Sequence, residues 1–166
     1  YDNYSVADPD LAKLLSYTPL LTHINLDRCN LTRNVGAGLA QCLAPLTQLR
    51  FLSLEGSDLD APVYQAISGL TLLEDLNVAH TCCLWKQLGP TLQHLTNLTR
   101  LNLSQNNLTT KRVKLIAPSL LLLTRLTFLD LGNNAFETKG LTSLAVALAQ
   151  MSHLQDLNLR NCMLGN

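Results

Sequence analysis

Apolar residues along the chain return in one fixed arrangement. The pattern L-x-x-L-x-L-x-x-N/C-x-L reads LTHINLDRCNL from Leu21, LRFLSLEGSDL from Leu49 and LEDLNVAHTCC from Leu73. It returns as LTRLNLSQNNL from Leu98, LTFLDLGNNAF from Leu126 and LQDLNLRNCML from Leu154. Within each copy the L-x-L core alternates apolar and polar positions, which is the two-residue period of a strand. Ile24 and Leu26 therefore face inward and Asn25 faces outward, and each copy predicts one short strand. The ninth position holds Cys29, Ser57, Thr81, Asn106, Asn134 and Cys162, all small side chains with an atom able to hydrogen-bond. It falls where the backbone leaves the strand and its donors and acceptors need partners.

Between copies the period changes to that of a helix. Where successive copies lie 28 residues apart, Leu39, Leu43 and Leu46 recur at helical intervals, as do Val113, Ile116, Leu120 and Leu123, and then Leu141, Leu144, Leu148 and Met151. The second and third copies are followed by their successors after only 24 and 25 residues, which predicts shorter helices through Val63, Ile67 and Leu70 and through Leu84, Leu88, Leu92 and Leu95. Pro90 and Pro118 fall inside two of these runs and predict a kink or a start nearby. One strand cannot bury its own apolar face, whereas six stacked in parallel share a continuous core.

These six motifs resemble the leucine-rich repeat, over the chain from Leu21 to its last residue. The resemblance implies an α/β fold: a right-handed leucine-rich-repeat solenoid with six parallel strands on the concave face and helices on the convex face. Repeats then start near 21, 49, 73, 98, 126 and 154, in a domain spanning 21–166. The 28-residue period with helices and the mixture of cysteine and asparagine at the ninth position look most like the ribonuclease-inhibitor-like class. What that class implies is protein binding, by intracellular scaffolds, inhibitors or sensors. Residues 1–20, with Leu11, Leu14 and Leu15 behind an aspartate, read as an N-terminal capping helix or partial repeat. No return helix follows the sixth strand, so its open end predicts an exposed apolar edge, a possible dimer contact, and a chain cut from a longer array.

Composition narrows the partners. With 12 basic and 12 acidic residues in 166, the net charge is zero, so the electrostatic attraction that nucleic acids and anionic membranes depend on is not expected. No apolar run approaches the roughly 20 residues of a membrane span. Five cysteines without a terminal cluster point to a reducing, cytoplasmic setting. Five N-x-S/T sequons, at Asn3, Asn30, Asn97, Asn102 and Asn107, keep open a secreted or surface ectodomain as the alternative. Cys82 and Cys83 beside His80 lack the spacer that lets two thiolates share one zinc, and no catalytic, metal or cofactor site is expected.

The expected site is a face. Outward positions of the strands stack into columns: His23, Phe51, Asp75, Arg100, Phe128 and Asp156 in the first, and Asn25, Ser53, Asn77, Asn102, Asp130 and Asn158 in the second. A third runs through Asp27, Glu55, Ala79, Ser104, Gly132 and Arg160. Their strand neighbours serve the core, so the candidates for binding a protein partner are His23, Phe51, Asp75, Asn77, Arg100, Asn102, Phe128, Asp130 and Asp156. Aromatic and arginine side chains dominate interface energetics, which singles out Phe51, Phe128 and Arg100.

Overall fold

The structure is a computed structural model that describes Leu15 and residues 17–33 and 36–165. Each motif forms one strand of three residues: β1 (His23–Asn25), β2 (Phe51–Ser53), β3 (Asp75–Asn77), β4 (Arg100–Asn102), β5 (Phe128–Asp130) and β6 (Asp156–Asn158). All lie in a single parallel sheet in chain order. Parallel neighbours require a crossover between them. It is supplied by α1 (Gly36–Leu43), α2 (Ala61–Ser68), α3 (Trp85–His94), α4 (Thr110–Leu120) and α5 (Glu137–Gln150). This is an α/β leucine-rich-repeat solenoid. Strands pack about 4.8 Å apart and helices about 8–10 Å apart, so the stack bends toward the strands.

The motif leucines make the core. Leu52, Leu76, Leu101 and Leu129, at the centre of β2 to β5, are all 0% exposed, and so are the leading Leu49, Leu73, Leu98 and Leu126. Burying one such side chain contributes about 1.5–3 kcal/mol. Leu39 and Leu43, Val63 and Ile67, Leu88 and Leu92, and Val113, Ile116 and Leu120 close the layer from the helices. Trp85 opens α3 and packs into the same core. The two shorter spacings carry helices of 8 and 10 residues, against 8 described residues in α1 and 11 and 14 in α4 and α5 at the 28-residue spacings. Pro90 and Pro118 neither start nor end their helices: α3 and α4 run through them. Both prolines are exposed, on the side where a carbonyl deprived of its amide partner meets water.

A turn at the eighth residue and a ladder of side-chain hydrogen bonds at the ninth join the repeats. The eighth residue of every copy, Arg28, Gly56, His80, Gln105, Asn133 or Asn161, turns the chain out of the strand with φ between +53° and +72°. Next to it the ninth residue points inward. Asn134 donates through Nδ2 to the carbonyls of Leu103 (3.0 Å) and Leu131 (2.9 Å), and its Oδ1 accepts from the amides of Asn106 (3.1 Å) and Leu108 (2.8 Å). Asn106 repeats this one copy earlier, donating to Val78 and accepting from Thr81 and Cys83. Cys162 donates its thiol to the Leu131 carbonyl at 3.2 Å.

The shared ninth position predicts that Cys29 is buried like Cys162, and the structure differs. Cys29 is exposed, because a ninth-position side chain bonds to the strand end of the preceding copy and β1 has none among the described residues. Of the capping segment expected at 1–20, residues 1–14 and 16 lie outside the described residues; Leu15 is buried in the core. At the other end Leu157 is 40% exposed where its counterparts in β2 to β5 are 0%, since β6 has a neighbour on one side only.

Candidate interaction face

The strand pairing aligns the first column residue by residue, from His23 through Phe51, Asp75, Arg100 and Phe128 to Asp156. Its members pair among themselves. The His23 and Phe51 rings stack with centroids 5.8 Å apart. Arg100 Nε lies 3.2 Å from Asp75 Oδ2, and the same guanidinium sits 4.2 Å above the Phe128 ring. Burial raises the Asp75 carboxyl above its ordinary range, with Arg100 pulling it partly back. Asp156 at the end of the column is exposed. The result is a half-exposed line of flat groups held in place before any partner arrives.

The second column does two jobs. Asn25, Asn77, Asn102, Asp130 and Asn158 each accept through Oδ1 the amide two residues on, at 2.8–3.0 Å, fixing the exit from every strand that carries them. β2 has Ser53 there, whose side chain is a hydroxyl in place of the amide or carboxylate. Asp27 of the preceding copy compensates: its Oδ1 accepts from the Glu55 amide at 2.9 Å and from the Ser53 hydroxyl. The Asn77 amide group reaches Glu55 Oε2 at 3.3 Å. Asn77, Asn102 and Asp130 thus spend one oxygen on the fold and keep the remainder of the side chain on the face.

Not every outward position is open. Ser53 is 1%, Ala79 2% and Ser104 7% exposed. With Ala79 and Ser104 covered, the third column is interrupted in its middle. Gly132 is flanked closely enough that an added Cβ would lie 3.0 Å from Asn158 Nδ2 and 3.1 Å from Asp130 Oδ1. All nine expected residues retain exposed or half-exposed surface. Residues outside that set join them: Arg28 bridges to Glu55 at 2.8 Å, and Arg50 bridges to Glu74. The register holds the signal for these, since Arg50 and Glu74 occupy the second position of consecutive motifs. A groove of about 460 Å³ along the turns is lined by Arg28, Asn30, Glu55, Gly56, His80 and Gln105.

The cysteine pair beside His80 separates in space. Cys82 is exposed, whereas Cys83 is buried against Thr81, whose Oγ1 is 3.2 Å from its sulfur. Burial pushes the Cys83 thiol up to about 11, the reverse of what a nucleophile needs. Tyr64, buried beside it, is raised for the same reason and receives the Leu84 amide at 3.3 Å.

The family model of the leucine-rich repeat matches residues 97–118. The six in-register copies and that match make the chain a leucine-rich-repeat protein. Among solved structures it is similar to the leiomodin-1 actin-binding site 2, with 18% identity over 88% of this chain and 91% of the other and a TM-score of 0.60. It is also similar to an internalin (inlF) from Listeria monocytogenes, with 15% identity over 98% of this chain and 59% of the other and a TM-score of 0.36. No curated protein matches the sequence. Leucine-rich-repeat domains generally mediate protein–protein interaction. No helix among the described residues is long and apolar enough to cross a membrane.

Proposed function

We propose that this chain is a non-catalytic protein-binding module whose partner docks on the concave strand face, in the manner of an intracellular scaffold, inhibitor or sensor. The observation that carries the reading is the Phe51, Arg100 and Phe128 column. These side chains lie on the sheet face away from the core, and Arg100 is preset between a carboxylate and a ring. Prior ordering lowers the entropic cost of association. The cytoplasm is the proposed setting, supported by five free thiols. Occupied glycans at Asn30 or Asn107, both exposed, would instead favour a secreted ectodomain.

The test begins with a photoreactive residue at position 51 or 128 to capture the partner, with monomeric actin as the first purified probe because the leiomodin-1 structure is that of an actin-binding site. Calorimetry then compares Phe51→Ala and Arg100→Ala with Gln65→Ala on the exposed surface of α2. Losses of about 2 kcal/mol at each of the first two and almost none at the third are expected. Equal losses at all three sites would remove the strand face as the recognition surface.

A further inference from the structure

Zero net charge averages over two unlike faces. All four ion pairs among the described residues are made by arginines: Arg28, Arg33, Arg50 and Arg100. The described lysines behave differently. Lys86, Lys111, Lys114 and Lys139 all lie on α3 to α5, all are exposed, and none joins an ion pair. Together with Arg112 they give these three helices five cations against one carboxylate, Glu137. Overall neutrality therefore does not describe this side of the molecule, because charge acts locally within a screening length of about 8–10 Å.

The same helices carry uncovered aliphatic surface. Leu115 is 44%, Leu122 48% and Val146 64% exposed. Helical spacing places them in line with the lysines. Lys114 and Leu115 lie three and four residues after Lys111 on α4, Leu122 stands in the turn after that helix, and Lys139 and Val146 stand seven apart on α5. Each of these two helices presents a cation early and an aliphatic side chain later on one exposed face.

We infer that the convex face of α4 and α5 seats on an anionic lipid bilayer as a peripheral contact. The residue types decide between this and an acidic protein. Protein interfaces are enriched in arginine and aromatic residues and depleted in lysine, and this face has unpaired lysines with leucine and valine. Flexible lysine stems lie along an apolar boundary with the ammonium in the headgroups, and each adds to attraction by acidic lipids. Nucleic acid would use the cations but leave the aliphatic side chains in water. The concave column lies on the opposite side, so both faces can be engaged at once.

Vesicle co-sedimentation of the full chain tests this, with phosphatidylcholine vesicles and with vesicles containing phosphatidylserine. Binding is expected only to the acidic vesicles and should be lost in high salt. Lys111→Glu with Lys114→Glu should weaken it roughly tenfold or more. Leu122→Ser with Val146→Ser should weaken it at unchanged salt dependence, and Phe51→Ala should leave it intact. All the substituted helix residues are exposed, and circular dichroism checks that the variants fold. Absence of binding, equal binding to neutral vesicles, or full retention by the charge-reversed variant overturns the inference. So does binding of a soluble polyglutamate peptide without binding of vesicles, which would assign the face to an acidic protein.

Discussion

At the scale of single residues, the ninth position shows how one side chain can serve two repeats. Asn134 offers two donors and an acceptor to groups on both its own copy and the one before, and a buried amide left without them would cost about 1–3 kcal/mol per unsatisfied group. Thiols at neighbouring positions divide by exposure. Cys29 and Cys82 are expected to react quickly with an aromatic disulfide reagent in the native protein, and Cys42, Cys83 and Cys162 only after denaturation. Cys83 also links stability to pH. Its thiol is raised from 9.0 to about 11 in the folded chain, so below about pH 9 both states are protonated and its contribution is complete. Between pH 9 and 11 the unfolded thiol ionises first, and stability falls by roughly 2–3 kcal/mol. Urea unfolding at stepped pH should show that decline, and Cys83→Ala should flatten it. A slope identical in the variant would assign the decline elsewhere. Cys42, Cys162 and, above about pH 10, Tyr64, raised by burial too, keep a residual slope.

At the scale of elements, packing between helices sets tolerances that hydrophobic period does not express. Gly89 on α3 approaches α4 so closely that an added Cβ would lie 2.8 Å from the Leu115 carbonyl oxygen, a backbone atom that cannot swing aside. Gly89→Ala should therefore destabilise the protein by about 1–3 kcal/mol although alanine favours a helix. Chemical denaturation measures this, and a more stable variant would mean that the two helices separate freely. Pro90 one residue later is tolerated because it faces water. Strands show the complementary case: three residues each are enough, because the motif leucines and the polar ladder hold every strand to the next.

At the scale of the whole molecule, the stack has two faces and an open edge. Leu157 on β6 lacks the cover its counterparts have, and Met163 nearby is 58% exposed. The two faces behave independently in this scheme, the strand side recognising a protein through preset aromatic and arginine groups and the helix side attracted to charge.

The motif alone determined the fold, the six strands, their registers and the identity of the first column, because a fixed period of leucines leaves one parallel stacking that buries them all. What tertiary structure decided was the state of each outward side chain. Arg100 is pinned between Asp75 and Phe128, Ser53 and Ala79 are covered, and Asp27 replaces the strand-exit bond that Ser53 lacks. Each outcome depends on which residue stands one repeat away, and a pattern read along the chain does not weigh neighbours across it. The exposed Cys29 and the segregation of lysines from arginines arise in the same way: burial and local charge belong to surfaces assembled from distant copies, whereas periodicity belongs to the chain.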